Sequence, residues 1–104
     1  MGRTRQSDRF ITWLMPMTTQ ETLGRAVSWH PFGASVVSIE PLTVTEDLSA
    51  GSVQRVDAKV VQLAYRADVN TTKRARLDGV DYEIRGVREL GRRRRLEVDL
   101  VAVR

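Results

Sequence analysis

Asp78-Gly79 sits between two runs of alternating residues, and no other feature constrains the fold as much. An Asp-Gly pair flanked in this way supplies the positive-φ positions of a tight hairpin. After it, Val80, Tyr82 and Ile84 face one way while Asp81, Glu83 and Arg85 face the other, the period of a half-buried strand. Lys73 to Leu77 forms the short strand before the turn, with Arg74 and Arg76 directed away from Leu77. Gly86 marks a bulge or sharp bend. Leu96, Val98, Leu100 and Ala102 then alternate along a final strand, Leu96 to Val103. A chain that ends in antiparallel hairpins is committed to sheet.

The remaining elements extend that reading. Phe10 to Met15 forms a first strand, ended by Pro16 and the residues after it. In Glu21 to Trp29, Gly24 argues against a helix and Ala26 to Trp29 fits a short strand. His30-Pro31-Phe32-Gly33 reads as a turn, and Ser35 to Glu40 as a second strand. Residues 41–54 read as a long loop, uncommon in so small a domain and often functional. Val56 to Arg66 is apolar on both faces, as where a barrel closes. The expectation is an all-β chain, a small β-barrel with a long inserted loop. Residues 1–9 would be a flexible N-terminal arm, and 10–104 a single barrel domain. The expected core is Ile11, Trp13, Val37, Ile39, Val60, Tyr82, Ile84, Leu96, Val98 and Leu100.

The side chains argue against chemistry. Cysteine is absent, and the one histidine, His30, precedes a proline. No glycine-rich phosphate loop, metal-ligand spacing or nucleophile elbow is present. No catalytic residue, cofactor site or metal site is expected. No apolar run approaches the roughly eighteen residues of a membrane span, and none follows the basic N-terminus as a secretory signal would. The expectation is an intracellular or virion protein with no membrane partner.

Charge is uneven. Residues 1–52 carry four arginines and five acids, whereas residues 53–104 carry thirteen basic and eight acidic residues. Arg92, Arg93, Arg94 and Arg95 fall between two strands, and Lys73, Arg74 and Arg76 form a second basic group. Such clusters fit sequence-blind contact with DNA phosphates, bidentate pairing with carboxylates of a neighbouring subunit, or a solvated turn. Aromatic residues are only 6% of the chain, which disfavours a base-stacking nucleic-acid barrel.

The order of these pieces resembles the head–tail joining proteins of tailed bacteriophages, also called head-closure or stopper proteins. The resemblance runs through Tyr65-Arg66, Asp68, Arg74 to Arg76, Asp78-Gly79, Tyr82 and Ile84, Val87, and Leu96 to Val101. The first half is similar at "RFITW" and "SVVSIEPLTVTED", although Ala34 and Ser35 stand where the family usually has a tryptophan-alanine pair. The resemblance covers residues 9–104.

It implies a ring of six or twelve copies at the head–tail junction of a phage, gene transfer agent or prophage-derived particle, assembled in the bacterial cytoplasm. The portal or adaptor ring would lie above, and a tail terminator or tail tube protein below. The ring would close the DNA-filled head, with non-specific contact to packaged double-stranded DNA, and present a platform for the tail. Thr43, Thr45, Glu46, Asp47 and Leu48 of the loop would gate the channel or reach a neighbour. Arg92–Arg95 with Lys73, Arg74 and Arg76 would contact the adjacent ring or DNA. The alternatives are a tail terminator or tail completion protein, which helices packed on a sheet would favour, and a small nucleic-acid-binding barrel, which exposed aromatics on a basic face would favour.

Overall fold

The computed structural model describes residues 6–47 and 53–103. Six strands run in chain order: β1 (Gln6–Glu21), β2 (Gly24–Asp47), β3 (Val53–Ala64), β4 (Arg74–Leu77), β5 (Val80–Leu90) and β6 (Arg95–Ala102). They form one antiparallel sheet in the order β1-β2-β3-β6-β5-β4, and β4 pairs back onto β1 to close a barrel. The described residues contain no helix. Asp78 and Gly79 adopt φ of 53° and 79° between the paired Leu77 and Val80, the two-residue hairpin that Asp-Gly favours. The β5–β6 register shifts between Ile84 and Gly86, so the bulge falls where the glycine marks it.

Alternation places the core. Ile11, Trp13, Val37, Ile39, Tyr82, Ile84, Leu96, Val98 and Leu100 are all buried, as expected. Val60 is the correction: it is half-buried, and Val61 and Leu63 fill the interior instead. Both faces of β3 are apolar, so its sequence does not say which face turns in. Register decides, because β3 meets β6 through Val61↔Val98 and Leu63↔Leu96. Ala75 and Leu77 complete the wall where β1 and β4 close the barrel, while Leu14, on the opposite face of β1 from Trp13, is buried outside the core cluster.

Three expected interruptions are strand instead. β1 does not stop at Pro16 but runs to Glu21, paired with the early part of β2, so His30–Gly33 is strand with a bulge at Phe32 rather than a turn. The expected N-terminal arm contributes Gln6 to Arg9 to β1. Residues expected in the long loop pair as a ladder from Pro41↔Lys59 to Asp47↔Val53, while Leu48 and residues 49–52 lie outside the described residues.

All three misreadings arise at prolines. Pro16 follows Leu14, the last β1 residue paired with β4; Pro31 precedes Ser38, where β2 begins to pair with β3; Pro41 lies beyond Ile39, where β2 stops pairing with β1. Each strand has one unpaired edge at its proline, where a missing N–H can be turned outward at no cost.

Two ribbons therefore leave the barrel: Met15–Glu21 with Gly24–His30, and Thr43–Asp47 with Val53–Asp57. Because every neighbouring pair is antiparallel, the first ribbon, the loop from Tyr65 to Lys73 and the β5–β6 turn share one barrel end. The second ribbon and the Asp78-Gly79 turn share the other.

Candidate functional site

The arginine cluster is a hairpin turn. Leu90 pairs with Arg95, and the Arg94 amide donates to the Gly91 carbonyl at 3.0 Å. Gly91, Arg92 and Arg93 have φ of 61°, 40° and 63°. This is the turn geometry that Asn-Gly favours, occupied here by two bulky residues, each at a cost of about 1–2 kcal/mol. Arg92 to Arg95 are all exposed, and among the described residues none has a side-chain hydrogen bond or ion pair. The turn is anchored by the Tyr65 amide, which donates to the Arg94 carbonyl at 3.1 Å. Four unneutralised cations thus stand on a turn whose backbone opposes two of them.

The second basic group divides. Arg76 lies opposite Asp81 and donates to its carboxylate from Nε at 2.7 Å and Nη2 at 3.2 Å. Arg74 instead lays its guanidinium over the Trp29 ring, 4.2 Å from the centroid. Lys73 lies 5.7 Å from the Phe32 ring. Arg74 pairs with Glu83 in the strand register, seven residues before Leu90, so about 23 Å of strand separates it from the arginine turn. The two groups are distinct surfaces. Thr43, Thr45, Glu46 and Asp47 lie on β2 in the ribbon at the opposite end.

Sequence reasoning missed the residue that organises the outer wall. Arg88 donates to Glu97 Oε1 from Nε at 3.0 Å and Nη2 at 2.9 Å, and to Asp99 from Nη1 and Nη2 at 2.8 Å each. Gly86 makes this possible: a Cβ there would stand 3.0 Å from Asp99 Oδ2. Glu97 and Asp99 are expected to repel DNA drawn along their strand, but they are largely occupied by this arginine. At the other end, Lys59 donates to Asp57 at 2.7 Å and to the Tyr82 hydroxyl at 2.9 Å, and that hydroxyl donates to Asp57 at 3.0 Å. The ring of Tyr82 can therefore be core while its oxygen stays satisfied at the rim.

These contacts depress carboxylate pKa values. Asp99 is lowered first by the Arg88 hydrogen bond, Asp57 by that of Lys59, and Glu97 by Gln62 and then Arg88. A carboxylate with a depressed folded pKa stabilises the fold above its unfolded value, and that contribution is lost as pH falls through the folded value. Stability to urea is therefore expected to decline below about pH 4. Arg88→Gln should flatten that decline; an unchanged pH profile would show that the fork contributes nothing in solution.

His30 is exposed, with Nε2 2.9 Å from the Ser28 hydroxyl. Among the described residues no group of three or more His, Cys, Asp or Glu side chains is arranged to hold a metal.

A family model described as phage head completion protein matches residues 3–103. No curated protein matches the chain. Solved structures share its fold, three of them as follows. One is a chain of the virion of a native gene transfer agent particle, at 13% identity and TM-score 0.66, with 94% of this chain and 96% of that one covered. Another is the solution structure of a Shigella flexneri 2a protein, at 20% identity and TM-score 0.67, with 93% of each covered. The third is protein XkdH of the phage-like element PBSX of Bacillus subtilis, at 11% identity and TM-score 0.58, with 98% and 96% covered.

Proposed function

The chain belongs to the phage head completion protein family, a family of structural proteins, and from that premise we propose how it serves in the head–tail connector. It is a component of a phage or phage-like particle that contacts other capsid or tail proteins. Copies stand as a ring of six or twelve beneath the portal or adaptor ring. The ring closes the DNA-filled head and offers a docking platform to the tail terminator or tail tube. It catalyses nothing and carries no cofactor.

The family match over residues 3–103 carries this reading. The geometry supports it. Two ribbons extend from opposite barrel ends with free strand edges, which gives one small chain contacts in two directions. The arginine turn contacts the adjacent ring or the retained DNA. With Glu97 and Asp99 held by Arg88, a phosphate partner is less opposed than the sequence alone implies.

Reconstruction of the assembled particle tests the reading. The expected result is a closed ring of this chain between portal and tail, with the ribbon at Thr43–Asp47 touching a neighbour or pointing to the channel. Single scattered copies, or a position remote from the junction, would overturn it.

A further inference from the structure

One end of the barrel carries a cleft of about 340 Å³ lined by Trp29, Thr71, Lys73, Arg74, Glu83, Ile84 and Arg85. Its charges are unbalanced. Glu83 accepts from Arg85 Nε at 3.0 Å and is thereby occupied. Lys73 is near enough to lower the pKa of Asp68, whose main partner is Arg66, but forms no ion pair with it. Arg74 has no carboxylate partner among the described residues, whereas Arg66, Arg76 and Arg85 each have one and Arg88 has two.

The Trp29 indole attracts the Arg74 guanidinium, which keeps N–H donors for a partner. A half-buried arginine held against an aromatic face, in a concave site, fits a protein carboxylate. Duplex phosphates suit a projecting surface such as the Arg92–Arg95 turn better than a recess.

We propose that this cleft receives the acidic strand end Glu46-Asp47 of a second copy of the chain. The two acids close β2 in the ribbon at the opposite barrel end, where Asp47↔Val53 is the last described pair. Cleft and acids cannot meet within one copy, because they belong to opposite ends. Joining unlike ends is a head-to-tail contact, which closes into a ring when the rotation permits. The inference rests on the ring reading above and adds the residues that link its copies.

The absence of cysteine from the chain gives a clean test. Full-length Thr71→Cys and Thr45→Cys proteins are co-assembled into particles and oxidised. A mixed disulfide dimer is expected, and neither protein alone should give one. Adding Arg74→Glu to the Thr71→Cys chain should cut the yield at least about tenfold, and Glu46→Arg with Asp47→Arg in its partner should restore it, as a charge reversal predicts. A ring without the mixed disulfide would overturn this contact and leave the ring standing. If the particles contain no multimer of the chain, both readings fall. If Arg74→Glu leaves cross-linking intact but weakens binding to a 30-base-pair duplex, the cleft is a phosphate site and the proposal is wrong.

Discussion

Trp13→Ala is expected to lower the unfolding free energy by about 3–5 kcal/mol. Trp13 is the largest side chain with no solvent exposure, and its indole N–H donates to the Ser35 hydroxyl at 2.8 Å. Truncation removes the ring from the point where β1 pairs with both β2 and β4, so the cavity opens at the seam that closes the barrel. The total stability of a domain this size is about 5–15 kcal/mol. The melting temperature should therefore fall by at least about 12 °C. Leu23→Ala is the control, since Leu23 is fully exposed at the hairpin tip and its loss should change stability by less than about 0.5 kcal/mol. Ile84→Ala and Leu100→Ala should each cost about 2–5 kcal/mol. Urea denaturation decides: a Trp13→Ala protein within about 1 kcal/mol of the native one would contradict the packing described above.

The arginine turn should respond in the opposite sense. Replacing Arg92 with Asn and Arg93 with Gly puts residues that accept positive φ where two arginines now resist it. With Arg94→Ser and Arg95→Ser added, the variant loses four exposed cations and should gain about 1–3 kcal/mol of stability. Particle assembly should suffer nonetheless. Failure of ring docking with the more stable fold would assign the turn to a protein partner, whose carboxylates should then lie within about 3 Å of a guanidinium. Normal docking with loss of genome would assign it to DNA, and binding of the native protein to duplex should then be sequence-blind and fall steeply with salt. A full yield of filled particles would reduce the turn to a solvated surface. Greater stability with poorer assembly is the outcome that marks the arginines as kept for use.

Local patterns were the legible part of this fold. Asp78-Gly79, the alternation from Val80 to Ile84, and the final strand each carry their own geometry, so hairpins and inward faces followed directly. β3 was not legible in the same way, because Val60 and Val61 are equally apolar and only pairing with β6 separates them. The prolines were misleading for a related reason. Whether proline ends a strand depends on which edges of that strand are paired, and those partners lie far away in sequence. The candidate site divided similarly. Arg92–Arg95 was visible as a run, whereas the Arg88 fork needs Gly86, Glu97 and Asp99 brought together across two strands. The fate of Arg76, tied to Asp81, was hidden by its closeness in sequence to Arg74, which goes to Trp29 instead.

The prolines have a consequence for the protein before assembly. A long ribbon with bare edges is a template on which further chains can add, and that route leads to fibrils. Met15, Met17 and Val27 are exposed on the first ribbon, so the hazard here is real. Pro16, Pro31 and Pro41 lack donors where these ribbons join the barrel. A ladder that an incoming strand builds along a ribbon is therefore broken at the barrel and cannot run on across it. Firm association then asks for side-chain contacts as well as backbone ones.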